Sequence, residues 1–145
     1  MSTAPSADVL RLDVEGLNAF LTNAFPQREP GAMGTVVEAR PGFVRLESRP
    51  GEWALRPGGL ISGPTQMGLV DGAAYVLVAA HVGPVEMAVT SALNMQFLRP
   101  CRPGLLTADA SLLKLGRRLV NMDVRLWTDT VERPVAHATV TYALP

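Results

Sequence analysis

One carboxylate stands out chemically in this chain. Asp71 lies in the middle of residues 62–80, a segment made mostly of aliphatic and small residues. The positions one helical turn away hold no Lys or Arg, so no cation of the same segment can pair with it. A buried carboxylate without donors is costly, and perturbed carboxylates are enriched at functional sites. Asp71 is therefore a candidate functional group, although it could instead face solvent or accept a hydrogen bond from a distant backbone N–H.

The segment around Asp71 carries the start and stop signals of a helix. Ser62 or Gly63 can serve as the N-cap, and Pro64 suits the first helical position because its ring fixes φ near the helical value. Glycine and proline within residues 81–84 end the pattern after about 17 helical residues. The faces of this helix are apolar all the way round, which predicts burial inside the protein. At about 25 Å it is too short for an ordinary membrane span.

The remaining sequence predicts a second helix and an antiparallel sheet. Val, Leu and Phe recur at helical spacing in residues 7–25, most strongly from Asp13. Strand-like runs follow at residues 34–40, 43–48, 87–97, 105–115, 119–128 and 134–144. Their connections are mostly too short for parallel crossovers. We expect one α+β domain over residues 1–145, in which about five to six strands surround the long helix and residues 1–7 form a disordered tail.

The predicted strand at residues 87–97 alternates with period two. Its larger apolar residues share one face, namely Met87, Val89, Leu93, Met95 and Phe97. Thr90 and Asn94 then belong to the opposite, mixed face, together with Ala88, Ala92 and Gln96.

Composition excludes several functions. Thirteen basic residues balance thirteen acidic ones, so no overall field favours nucleic acid or a membrane surface. The single cysteine, Cys101, excludes an internal disulfide and an ordinary zinc cluster, and it indicates a reducing, cytoplasmic location. Cys101 is expected to be a loop thiol, with a lowered pKa as the alternative. No secretory leader is recognised in residues 1–7, and no metal site is expected.

Basic residues gather in one stretch. They are Arg99, Arg102, Lys114, Arg117 and Arg118. Such a run is either an ordinary solvated surface or a site for an anion.

Four motifs occur in the order seen in the PaaI-like branch of the hotdog acyl-CoA thioesterases. They are Ser62-Gly63-Pro64 followed by Asp71, the strand 88–100 with Asn94 and its Phe-Leu-Arg-Pro end, the hairpin Leu113-Lys114-Leu115-Gly116-Arg117, and Ala136-His137-Ala138-Thr139. Over residues 34–144 the chain resembles this family, whose acidic residue stands nine positions after a His-Gly-Gly turn. Here Ser62 replaces that His and Pro64 replaces the second Gly.

The resemblance implies a hotdog fold and hydrolysis of an acyl-CoA thioester to a carboxylic acid and CoA. The resemblance implies that Asp71 is the general base or the nucleophile and that the Gly63 N–H polarises the carbonyl. It also implies that Thr90 helps to orient Asp71 or the water. Ser62, Pro64, Asn94, Lys114, Arg117 and Arg118 are the expected substrate-binding residues. CoA is part of the substrate, so no separate cofactor is expected. The family likeness also implies a homodimer or homotetramer with its site at the subunit interface.

Two other functions remain open at this stage. The changes at Ser62 and Pro64 are compatible with a non-catalytic subunit that binds acyl-CoA, and a hotdog dehydratase is a further alternative. A Ser-His-Asp triad is not expected, because no Gly-x-Ser-x-Gly turn is present; His81 and His137 are interpreted as structural residues. Trp53 and Trp127 are expected to be packing residues, with Trp53 as a possible wall of an acyl pocket.

Overall fold

The fold is built from one long helix and one sheet that curves around it. The computed structural model describes residues 4–27 and 33–145. In chain order the elements are α1 (Val14–Ala24), β1 (Thr35–Arg40), β2 (Phe43–Ser48), a 3-10 turn (Glu52–Ala54), β3 (Leu55–Arg56), β4 (Leu60–Ile61), α2 (Gly63–Val82), β5 (Val89–Phe97), β6 (Leu106–Leu115), β7 (Leu119–Trp127) and β8 (Ala136–Ala143).

The main sheet has six strands in the order β1-β2-β6-β7-β8-β5, and every neighbouring pair is antiparallel. Helix α2 packs against β2, β5, β6, β7 and β8, so the inner face of the sheet and the helix form the core. On β7 the alternating residues Val120, Met122, Val124 and Leu126 are fully buried, as their period predicts. The predicted α+β architecture, with a central apolar helix and an additional N-terminal helix, is confirmed.

Helix α2 begins and ends where capping chemistry is available. Ser62 is the N-cap, and its hydroxyl accepts a hydrogen bond from the Thr65 N–H. Gly63 therefore takes the first helical position, which Pro64 was expected to hold. The helix ends at Val82 and is capped by Gly83, whose φ of 98° is a conformation that glycine adopts without strain.

Helix α2 also runs further than predicted, through His81 and Val82. His81 is fully buried; its Nε2 accepts a hydrogen bond from the Gly42 N–H, and its Nδ1 lies 3.1 Å from the Leu77 carbonyl oxygen. The His81 ring thus ties the end of the helix to the β1–β2 turn. Its interpretation as a structural histidine is confirmed.

Other boundaries differ from the sequence prediction. Helix α1 is restricted to Val14–Ala24 because Asp13 caps it through the Gly16 N–H. The expected loop at residues 49–59 contains the 3-10 turn and the short β3, and Trp53 on that turn is 59% exposed rather than packed. Of the expected tail, residues 1–3 lie outside the described part of the chain, as do residues 28–32 of the loop before β1.

The two edges of the main sheet differ in their protection. At β1 the Asn18 side chain of α1 donates to the Val36 carbonyl at 3.0 Å and accepts from the Val36 N–H at 2.9 Å. At β5 the outer edge has no neighbouring strand among the described residues. Large apolar side chains near this edge are exposed, including Met87, Val89, Phe97 and Leu98. The sheet therefore ends on one side in an apolar, uncovered strand, which is a surface that favours association.

Candidate active site

The carboxylate of Asp71 is held by two hydroxyl groups from neighbouring strands. Thr90 Oγ1 on β5 donates to Asp71 Oδ1 at 2.7 Å. The Tyr142 hydroxyl on β8 donates to the same oxygen at 2.8 Å and lies 3.2 Å from the Asp71 backbone carbonyl oxygen. No Lys or Arg among the described residues forms an ion pair with Asp71. The carboxylate is thus positioned by neutral donors rather than by a cation.

A β-bulge brings Thr90 to this position. The pairing between β5 and β8 passes from Thr90–Tyr142 to Ala92–Thr141, so Ser91 is an extra residue on β5. Beyond the bulge, Leu93 pairs with buried Val140 on the inner face. Thr90 therefore lies on the inner face, beside Tyr142. The uninterrupted alternation expected for residues 87–97, which placed Thr90 on the mixed face, is wrong at this point.

Tyr142 is the site residue that sequence reasoning missed. It is 3% exposed, and burial is the main reason that its pKa lies above the usual range, so the phenol stays protonated and remains a donor. The available signal was its alternation with buried Ala138 and Val140, which puts a phenol on the inner face of β8. Sequence alone did not indicate that this face meets Asp71.

A cavity of about 320 Å³ opens beside Asp71. Its lining includes Met33, Gly68, Gly72, Thr90 and Tyr142. A side chain at Gly72 would press on Met33, whereas one at Gly68 would meet open space. The cavity lining among the described residues contains no Lys, Arg or His, and the same part of the chain holds no group of three potential metal ligands. A water molecule or a small acyl group could reach the carboxylate from this side.

The backbone amide of Gly63 lies at the N-terminus of α2. It is the first helical N–H, and it donates no hydrogen bond to the described residues. A Cβ at Gly63 would lie 3.6 Å from the ring of Phe97, at the end of β5. Gly63 and Asp71 are eight positions apart, which corresponds to about 12 Å of rise along a helix. The two groups of one chain therefore cannot contact the same carbonyl group.

The other expected substrate-binding residues are dispersed. The Ser62 hydroxyl is engaged in capping, and Pro64 is exposed on the first turn of α2. Asn94 pairs with exposed Thr139 on the outer face of the sheet, away from Asp71. Lys114, Arg117 and Arg118 are exposed around the β6–β7 hairpin. That hairpin lies at the same end of the sheet as Tyr142, because Leu115 pairs with Val120 and Val120 with Tyr142.

The two histidines and the single cysteine do not contact Asp71. His137 contacts Asp123 on the outer face of the sheet, and His81 is engaged in the helix terminus described above. Cys101 is buried, and burial raises its pKa to about 11. The alternative of a lowered thiol pKa is therefore wrong.

Comparison with known proteins identifies the family. Residues 58–135 match the family model described as Thioesterase superfamily, which is more than half of the chain. The chain belongs to the thioesterase superfamily. It is accordingly a thioester hydrolase with the hotdog fold, as the resemblance implied. No curated protein matches the chain significantly.

Solved structures place this thioesterase among similar proteins. A candidate thioesterase from Silicibacter sp. TM1040 is 37% identical over 97% of this chain and 96% of its own, with a TM-score of 0.85. A mutant of the phenylacetic acid degradation protein PaaI from Thermus thermophilus is 25% identical over 79% of this chain and 96% of its own, with a TM-score of 0.68. A protein from Streptococcus mutans UA159, bound to acetyl-CoA, shares the fold at 22% identity over 76% of this chain and 86% of its own, with a TM-score of 0.66.

No helix in residues 4–27 and 33–145 is both long enough and apolar enough to cross a bilayer.

Proposed function

We propose that this thioesterase hydrolyses an acyl-CoA and that Asp71 is its catalytic carboxylate. The observation that carries the proposal is the carboxylate held by Thr90 and Tyr142 at a cavity without cations. An Asp paired with Arg or Lys would be a weaker base, because the cation stabilises the charged form. Neutral hydroxyl donors orient the carboxylate and leave it able to accept a proton or to attack a carbonyl.

The reaction can proceed by two routes that use the same carboxylate. As a general base, Asp71 takes a proton from water; the water oxygen bonds to the thioester carbon, the C–S bond breaks, and the thiolate of CoA recovers the proton. As a nucleophile, Asp71 forms an acyl anhydride with release of CoA, and water then cleaves the anhydride. Both routes end in a carboxylic acid and CoA, and both build negative charge on the carbonyl oxygen.

The donor for that oxygen is the Gly63 N–H of a second copy of the chain. A free amide at a helix N-terminus favours a developing oxyanion, since the helix dipole adds to the hydrogen bond. In its own chain this amide precedes Asp71 by about 12 Å of helical rise, which is too far for a shared carbonyl group. A complete site of this kind therefore needs two chains.

The open edge of β5 provides the means to bring two chains together. Thr90 lies near the start of β5, beside Asp71, and Phe97 ends the strand, beside Gly63. If two β5 strands pair antiparallel about a two-fold axis, the start of each lies beside the end of the other. Asp71 of one subunit then approaches Gly63 of the partner subunit, and the exposed apolar side chains of the edge become covered. We therefore propose a homodimer with two shared sites, either alone or as half of a tetramer.

The nucleotide part of CoA has a basic surface available near each site. Lys114, Arg117 and Arg118 lie at the Asp71 end of the sheet, and guanidinium groups bind phosphate through paired donors. Binding of acetyl-CoA by the same fold in the Streptococcus mutans protein supports CoA as the carrier.

Because these basic side chains are exposed, their attraction to phosphate is screened by salt. We expect the KM for acyl-CoA to rise several-fold between about 20 and 500 mM NaCl, and to rise less in an Arg117→Ala/Arg118→Ala variant. A KM that does not respond to salt in the wild type would contradict this assignment.

The test of the proposed function is thiol release from phenylacetyl-, benzoyl-, short-chain and medium-chain acyl-CoA esters by the wild type and by Asp71→Asn. The substitution keeps the side-chain size and removes the base. We expect turnover by the wild type and a loss of two or more orders of magnitude in kcat, about 3 kcal/mol or more in transition-state stabilisation. Asp129→Asn, in the exposed β7–β8 turn, is the matched control and should leave the rate unchanged.

Intact binding without turnover by the wild type would contradict the enzyme proposal. It would favour a subunit that binds acyl-CoA without cleaving it, for which the replacement of the family's His and Gly by Ser62 and Pro64 is the motivating observation.

A further inference from the structure

We infer that Tyr142 is a positioning residue for this reaction and that, together with Thr90, it selects Oδ2 of Asp71 as the reacting oxygen. The inference rests on the proposed function, because it takes Asp71 to be the catalytic carboxylate. It concerns a side chain that acts through the carboxylate, by holding it in one orientation.

The two donors are aimed at one oxygen. Thr90 Oγ1 and the Tyr142 hydroxyl both reach Asp71 Oδ1, at 2.7 and 2.8 Å. Asp71 Oδ2 accepts no hydrogen bond from the described residues. An oxygen that already accepts two strong bonds has little capacity left for a third partner, whereas the free oxygen keeps its lone pairs. The asymmetry leaves Oδ2 to take a proton from water or to attack the thioester carbon.

Tyr142 holds the carboxylate more rigidly than Thr90 can. Its hydroxyl also lies 3.2 Å from the Asp71 backbone carbonyl oxygen, so one phenol spans the side chain and the main chain of the same residue. Its ring is buried beside Tyr75, with 6.0 Å between the ring centroids. It stands on β8, a strand paired on both sides, by β7 and β5. A buried ring on an interior strand has little freedom to rotate, which is the condition for a precise orientation.

The other titratable groups around the cavity do not compete with Thr90 and Tyr142 for the Asp71 carboxylate. The titratable groups that line the cavity with Asp71 are Tyr75 on α2, Glu86 in the connection to β5, and Tyr142 on β8. The Tyr75 hydroxyl donates to the Glu86 backbone carbonyl, so its proton is not shared with Asp71. Burial keeps the Tyr142 phenol neutral by raising its pKa. Within the described lining no cation competes with the two hydroxyls for the carboxylate.

The test compares Tyr142→Phe with the wild type. The substitution retains the buried ring and removes only the hydroxyl. We expect kcat to fall about ten- to a hundredfold, with a KM for the acyl-CoA that changes less than about threefold. We also expect the acid limb of the pH profile of kcat/KM to move to higher pH, because one donor that stabilises the ionised carboxylate is gone. A partial loss of folded protein would lower the whole profile without moving that limb.

Two further variants make the result specific. Thr141→Val removes a hydroxyl from the adjacent residue of β8, where Thr141 Oγ1 donates to Asn121 Oδ1 on the outer face, and it should leave kcat and the pH profile unchanged. Thr90→Val removes the second donor to Oδ1, and it should reproduce the shift of the acid limb. If Tyr142→Phe fails to fold, Thr90→Val still tests the selection of Oδ2, since both hydroxyls hold the same oxygen.

The failure of this inference can be distinguished from failure of the proposed function. If Asp71→Asn is inactive while Tyr142→Phe and Thr90→Val retain the wild-type kcat and pH profile, the positioning role is wrong and the catalytic carboxylate stands. If Asp71→Asn retains activity, the proposed function is wrong and the inference falls with it.

Discussion

At the scale of single residues, the choice of partners for Asp71 decides its chemistry. Hydroxyl donors stabilise a carboxylate through hydrogen bonds without adding a compensating charge. Thr90 and Tyr142 therefore orient the Asp71 carboxylate without a neighbouring cation. The Arg45–Asp109 pair on the same sheet illustrates the contrast. There the guanidinium donates to both carboxylate oxygens, at 2.7 and 2.9 Å, and leaves no oxygen of Asp109 free of the cation.

The buried thiol of Cys101 gives a prediction at the same scale. Its pKa is raised by burial to about 11, and the thiolate is the form that reacts, so the native protein should be inert to Ellman's reagent at pH 7.5. We expect no measurable labelling during the minutes of a thiol-release assay, and one thiol per chain after unfolding in guanidinium. Reactivity should grow only as the pH approaches 11. Rapid labelling of the folded protein at pH 7.5 would contradict the assignment.

At the scale of secondary structure, the β-bulge at Ser91 is the feature that assembles the site. Side chains alternate strictly along a regular strand, so a residue that must face α2 at Thr90 and another at Leu93 cannot both do so without one extra residue between them. The bulge supplies that residue, and it sits next to the proposed catalytic group, where bulges commonly redirect a side chain.

Removing the hydroxyl of Thr90 or of the bulge residue Ser91, one at a time, tests this role of the bulge. Thr90→Val should lower kcat by about tenfold or more, because Asp71 loses a donor. Ser91→Ala should leave kcat within about twofold, because the exposed Ser91 makes no hydrogen bond with Asp71. In a regular strand Ser91 would face α2 and Thr90 would face the outer surface. Ser91→Ala would then lower kcat more than Thr90→Val. Steady-state kinetics of the two variants therefore distinguishes a bulged strand from a regular one.

Local sequence signals were sufficient to predict the main helices and strands and to single out Asp71 as a candidate residue, but they did not identify the residues that contact Asp71. Capping at Ser62, the Gly83-Pro84 stop and the period-two runs are local signals, so α2 and the strands could be predicted. The contacts of Asp71 come from residues 19 and 71 positions away, at Thr90 and Tyr142, and no local pattern encodes such distances. The bulge is likewise set by pairing with β8.

At the scale of the whole molecule, the proposed catalytic carboxylate and the proposed oxyanion donor lie at opposite ends of strand β5. Asp71 stands at the start of β5 and the Gly63 amide at its end. The strand between them is the edge that no element of the described chain covers, whereas at the opposite edge Asn18 of α1 bonds both backbone groups of Val36. An antiparallel pair of β5 edges would bury the apolar side chains and complete two sites in a single step.

Complementation between two inactive variants tests the shared site most directly. Asp71→Asn removes the base, and Gly63→Pro removes the amide hydrogen at a helical position that tolerates proline. Each variant alone should be inactive. In a mixed dimer one site carries both lesions and the other carries neither, so co-expressed chains should recover about a quarter of the wild-type activity if dimers form at random. Activity that stays at the level of the separate variants, although mixed dimers are isolated by two different affinity tags, would contradict a site built from two chains.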